Sequence, residues 1–164
     1  MTEIRQQEQQ EPAKTGAAVL VKPPQLFLTA IVSGLLLQLL WPLTFNGSAA
    51  TILIGLSLIS GSLGLMFWAE GTFKRWETAV NPDNPVTTLV TSGPYRFSRN
   101  PMYLAFVLIQ IGIGLALSSW WLFITLPPAW IMLRWGAIAR EEQYLTEVFG
   151  DEYLDYKTAV RRWL

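Results

Sequence analysis

The side chains of this 164-residue chain that could do chemistry gather in two places. One is the run Gly93-Pro94-Tyr95-Arg96-Phe97-Ser98-Arg99-Asn100-Pro101-Met102-Tyr103, which sets two arginines and two tyrosines just ahead of an apolar stretch. A guanidinium offers a planar fork of donors suited to a carboxylate or phosphate, and Pro101 in a helix's first turn leaves backbone N–H groups facing the preceding loop. The other is Arg134 with Arg140-Glu141-Glu142. Seven residues apart, Arg134 and Glu141 share one helix face at a separation of about 10 Å. Adjacent carboxylates beside an apolar run cannot both face lipid, so at least one points at a loop, at water or at a cation. Both clusters also have a plainer reading, in which Arg and Tyr anchor helix ends to headgroups and the carboxylates are solvated. Gly112-Ile113-Gly114 could admit a ligand, although close helix packing explains small residues there more economically.

The chain has neither cysteine nor histidine. Disulfides, thiol nucleophiles, Cys/His metal centres and a histidine base are therefore excluded, no metal is expected, and proton transfer falls to Asp, Glu, Tyr or Lys. Twelve Lys+Arg against twelve Asp+Glu give no net charge to attract nucleic acid.

The elements that must position these clusters follow from where the charges are. Every charged side chain lies in 1–22, 70–100 or 134–164, and the blocks 23–69 and 101–133 carry none. With 51% hydrophobic and 15% charged residues the composition is that of a membrane protein. As single helices the two blocks would run about 70 and 50 Å, too long for a hydrocarbon core of about 30 Å. Each is expected to fold into a hairpin, turning at Phe45-Asn46-Gly47-Ser48 and at Ser118-Ser119. The predicted spans are 25–44, 49–69, 102–118 and 120–138, the last kinked by Pro127-Pro128.

The expected fold is thus all-α, a polytopic membrane bundle of about four transmembrane helices with an amphipathic C-terminal helix. Residues 1–22 are expected to be a disordered tail, and 23–164 a single domain. It divides into a hairpin at 23–69, a loop at 70–100, a second hairpin at 101–138 and a helical end at 139–164. In the loop, 70–80 extends the second helix until Pro82-Asp83-Asn84-Pro85 stops it, and an extended stretch follows. The apolar spacing of Tyr144, Leu145, Val148, Phe149, Tyr153, Tyr156, Val160 and Trp163 fits a helical end lying on headgroups or packing on the loop. Four spans return both termini to one face, which the positive-inside rule makes cytoplasmic, in a cell inner membrane. The polar N-terminus does not read as a cleavable signal.

The span from Pro85 to Trp163 resembles the isoprenylcysteine carboxyl methyltransferase family and the related phospholipid methyltransferases. The resemblance rests on Gly93-Pro94-Tyr95, on Arg99-Asn100-Pro101-Met102-Tyr103, and, after a hydrophobic hairpin, on Glu141-Glu142, Leu145 and Phe149-Gly150-Asp151-Glu152-Tyr153-Leu154-Asp155-Tyr156. It implies a membrane-embedded S-adenosylmethionine-dependent methyltransferase. Gly93, Pro94, Tyr95, Arg96, Arg99, Asn100 and Tyr103 would hold the cofactor, with Glu142 closing the pocket beside Glu141. Arg99, Glu141 and Glu142 would be the catalytic set, Arg99 pairing the cofactor carboxylate. The family's Arg-His-Pro is Arg99-Asn100-Pro101 here, and Ala105 replaces a common glycine. Asn100 cannot titrate. A carboxylate acceptor needs no base, so this departure favours O-methylation of a lipophilic acceptor. The alternatives are N-methylation of phosphatidylethanolamine, an NADPH-dependent enzyme resembling sterol reductases, and a non-catalytic membrane protein that binds lipid.

Overall fold

The computed structural model describes residues 16–76 and 85–164, all of whose regular elements are helical. The expected disordered tail up to residue 15, the end of the helix extension to 80 and the stop at Pro82-Asp83-Asn84 lie outside the described residues.

Helix α1 spans Pro23–Leu40 and begins with prolines in its first turn, where a missing N–H costs nothing. It ends four residues before the expected boundary at 44, because Pro42 steers Trp41 out of helical geometry. Helix α2, Ala49–Arg75, opens with a capping box in which the Ser48 hydroxyl accepts from Thr51 N–H and Thr51 Oγ1 accepts from Ser48 N–H. It runs beyond the predicted span, which ends at 69, into the extension expected from the sequence, where a Glu70–Lys74 ion pair of 2.8 Å spans one turn. After a short 3₁₀ helix at Gly93–Arg96 come α3, Pro101–Ala116, and α4, Trp120–Leu133. The second reversal falls at Ser118-Ser119 as expected, with Ser118 at φ 50°. The two hairpin turns are tied together: Phe45 N–H donates to Ser118 O at 3.0 Å, and Trp120 N–H to Leu43 O at 2.9 Å.

Helix α4 continues through Pro127-Pro128 and passes into a π turn at Arg134–Ile138. Helix α5, Ala139–Phe149, follows without a break. The helical end is in two pieces, α5 and α6, Asp151–Ala159, because Gly150, which interrupts the apolar spacing in the sequence, takes φ 52° between them.

Helices α2 and α3 lie so close that a Cβ on Gly112 would come within 2.7 Å of the Gly55 carbonyl, so the small residues in α3 serve packing. At the other side of the bundle Phe27, Leu133, Ala137 and Ile138 form a buried cluster, and Phe27 stacks on Phe106 at 5.4 Å. Elsewhere the apolar surface faces outward, with Leu40, Trp41 and Phe67 each at least 70% exposed. That inversion is what a hydrocarbon solvent requires. Among the described residues, three helices are long and apolar enough to cross a membrane, Pro23–Leu40, Ala49–Arg75 and the continuous Trp120–Phe149, and the shorter apolar Pro101–Ala116 packs among them.

Candidate active site

A cleft opens where the loop before α3 meets α5, α6 and the residues ahead of α1. It encloses about 860 Å³ of non-protein space, open solvent at its mouth included. Tyr95, Arg99, Asn100, Tyr103, Glu141 and Glu142 all line it. Of the other residues singled out from the sequence, Gly93 and Pro94 lie behind the wall and Arg96 is exposed beside it. Gly93 is structural: its φ of 60° suits glycine, and a Cβ there would meet Thr72 Oγ1 at 2.7 Å.

The charged floor of the cleft is Arg99, Glu141 and Glu142, and Arg162 reaches Glu142 from behind it. Arg99 Nη1 lies 3.0 Å from Glu142 Oε1, with both side chains about nine-tenths buried, and 3.3 Å from the Tyr153 hydroxyl. Arg162 grips the same carboxylate through Nε at 2.9 Å and Nη2 at 2.6 Å. Tyr103 donates to Glu141 Oε1. Burial of this kind is sustainable because the charges are paired and hydrogen-bonded. Arg99 thus shares the single Glu142 charge with Arg162, and the three groups together keep a net positive charge.

Sequence reading passed over Arg162. It comes near the C-terminus, and it arrives because the tail is laced to the loop: Arg99 N–H donates to Arg161 O at 3.0 Å, Ser98 Oγ to Arg162 O at 3.2 Å, and Asn100 Nδ2 to the same oxygen at 3.1 Å. Asn100 thus acts as a clasp. Tyr153 and Tyr156, which the Phe149–Tyr156 motif contains, also line the cleft and were not placed in the expected site. Tyr156 donates to Tyr95 O at 2.7 Å, and Tyr144 accepts from Val86 N–H at 3.2 Å, which pins the loop to α5 and α6. Ala17, ahead of α1, forms part of the wall too. Its segment is held by Leu20 N–H donating to Gly136 O at 2.8 Å in the π turn.

Burial, then Glu142, raises the Tyr153 hydroxyl above its ordinary range; burial, then Tyr153, does the same for Tyr156. Arg162 is held more firmly charged by its hydrogen bonds to Glu142. Two buried polar atoms at the cleft, Arg99 Nε and Tyr95 Oη, have no partner among the described residues. Orphans of this kind are the groups that a bound molecule satisfies. Among the described residues, no three His, Cys, Asp or Glu side chains gather as a metal site would need.

Comparison with known proteins agrees with this picture. The chain is 41% identical over 70 residues to a protein of Haemophilus influenzae described as uncharacterized, covering 38% of this chain and all of that one. It is 30% identical over 101 residues to the cobalt-zinc-cadmium resistance protein CzcN of Cupriavidus metallidurans, which covers 62% of this chain and 45% of that protein's length. Residues 50–152 match the phospholipid methyltransferase family, and that stretch takes in α2, the loop, α3, α4, both cleft carboxylates and the start of α6. The chain therefore belongs to the phospholipid methyltransferase family, and is a membrane-spanning protein of a methyltransferase kind.

Proposed function

We propose that this protein is an S-adenosylmethionine-dependent methyltransferase that esterifies a carboxylate on a lipophilic acceptor, reached from the bilayer, while the cofactor enters from the cytoplasm. The observation that carries this reading is the paired set Arg99–Glu142–Arg162 beside Tyr103–Glu141, set in a cleft at the end of an apolar bundle. In this reading α3 counts as a fourth span, and the termini and cleft share the cytoplasmic face of an inner membrane.

The donor set suits the cofactor. The unpartnered Arg99 Nε can take a carboxylate oxygen, Tyr95 and Tyr156 offer aromatic faces, and Glu141 with Glu142 supplies negative charge for a sulfonium. When bound, S-adenosylmethionine supplies an electrophilic methyl group, whose transfer is an in-line displacement. The protein's share is to orient donor and acceptor and keep water out. Both Glu142 oxygens are taken by arginines and Glu141 is hydrogen-bonded by Tyr103, while Asn100 Nδ2 is tied to the tail. Of the two cleft carboxylates only the second oxygen of Glu141 is left to take a proton, and an acceptor that arrives already deprotonated needs none.

N-methylation of an ethanolamine headgroup is the second reading, and the family description favours it. It needs a base, for which the second oxygen of Glu141 is the candidate. The methyltransferase match also favours either reading over an NADPH-dependent reductase or a non-catalytic lipid binder. Purified protein incubated with methyl-labelled S-adenosylmethionine and membrane lipids separates them. Base-labile methyl esters support the proposal, methylated ethanolamine headgroups support the second reading, and no transfer with no binding of S-adenosylhomocysteine at millimolar concentration removes both.

A further inference from the structure

Arg134 is the first charged side chain after the charge-free run 101–133, so it stands where the hydrocarbon-facing surface of α4 ends. Its guanidinium lies over two indoles, with Cζ 5.6 Å from the Trp130 ring centre and 5.4 Å from that of Trp135. Trp130 is itself backed by Trp163 at 6.3 Å. Both contacts are of the cation–π kind, which satisfies none of the guanidinium N–H donors. Among the described residues no carboxylate or carbonyl accepts from those donors. A half-buried guanidinium with unpaired donors at a membrane boundary calls for an acceptor. Nor does it belong to the cleft, which none of these four residues lines.

From Trp135 in the π turn, the exposed Ile131, Pro128 and Ile124 continue at successive turns of α4 toward the middle of the bundle, an apolar track leading away from the cation. The geometry points to a binding site for the phosphodiester of an anionic membrane phospholipid, its headgroup on Arg134 and an acyl chain along that track. The uncompensated cation selects a net negative headgroup over a zwitterionic one. This lipid is held beside the bundle and is not the methyl acceptor.

Native mass spectrometry of the full chain, delipidated and then offered phosphatidylglycerol or phosphatidylcholine, tests the site. We expect one phosphatidylglycerol retained at least tenfold more tightly than phosphatidylcholine. R134Q should abolish that preference, W135L should reduce it severalfold, and R134K should recover only part, since an ammonium lacks the guanidinium's planar fork of donors. Trp135 is 65% exposed, so W135L tests the site without depending on how R134Q folds. Wild-type preference in both R134Q and W135L overturns the inference, as does equal retention of the two lipids. Inorganic phosphate displacing phosphatidylglycerol at equal concentration also overturns it, since the apolar track would then contribute nothing.

Discussion

Arg162 holds both oxygens of Glu142, at 2.9 and 2.6 Å, from the end of the chain onto the first turn of α5. The Glu142 side chain is 11% exposed and that of Arg162 30%, so the bond is only partly screened. Arg162→Ala should cost about 1–3 kcal/mol of stability, the range for hydrogen bonds to charged groups. Arg162→Lys should restore less than half of it, because an ammonium cannot bridge both oxygens. Denaturation in detergent checks this; a lysine variant as stable as wild type would mean that charge alone matters there.

Arg99 shares Glu142 with Arg162 and has its Nε left over. Arg99→Ala and Glu142→Ala should each weaken S-adenosylhomocysteine binding at least tenfold, measured by calorimetry, while leaving the helix content intact. The two effects should not add, since each substitution already breaks the same contact. Wild-type affinity in both variants would move the cofactor elsewhere.

How much of this was legible in the sequence depends on what brings each residue to the cleft. Arg99, Tyr103, Glu141 and Glu142 lie at the boundaries of the charge-free block 101–133, so a hairpin alone sets them at one end of the bundle. Arg162 had no such cue: backbone and side-chain bonds from Ser98, Arg99 and Asn100 draw in a tail with no regular element of its own. The early end of α1 was readable from Pro42, but the turn signal at Asn46-Gly47 outweighed it in the expectation. The contact between Ala17 and the cleft could not be read, because it depends on a π turn that frees the Gly136 carbonyl for Leu20.

That strap gives a third prediction. A Cβ on Gly136 would meet Val21 Cγ2 at 2.8 Å, closer than carbon atoms approach without displacement. Gly136→Ala should therefore cost about 1 kcal/mol or more despite alanine's better helix propensity, and it should unseat the segment that carries Ala17. Val21→Ala removes the opposing methyls. The double variant should be more stable than Gly136→Ala alone, with a coupling of about 1 kcal/mol in denaturation. Simple additivity of the two substitutions would show that the strap does not bear on Gly136.

The buried phenols supply the last prediction, on the alkaline side. Tyr153 is raised by burial and then by the Glu142 charge, Tyr156 by burial and then by Tyr153, and Tyr95 by burial and then by Tyr156. In the unfolded chain each returns to its ordinary value of 10.0. Their folded pKa values exceed the unfolded ones, so the stability they contribute is fully present below pH 10 and is lost as pH climbs toward the folded values. Each such phenol adds a slope of up to about 1.4 kcal/mol per pH unit in that window. The loss should fall on the cleft first, because Tyr153 accepts from Arg99 and Tyr156 donates to Tyr95 O, the bonds that hold α6 to the loop. Ultraviolet titration should show a group of tyrosines that ionise only together with loss of S-adenosylhomocysteine binding, and Tyr156→Phe should lower the pH at which binding fails. Free titration of Tyr95, Tyr153 and Tyr156 near pH 10, with binding intact, would contradict the packing of α6 against the loop.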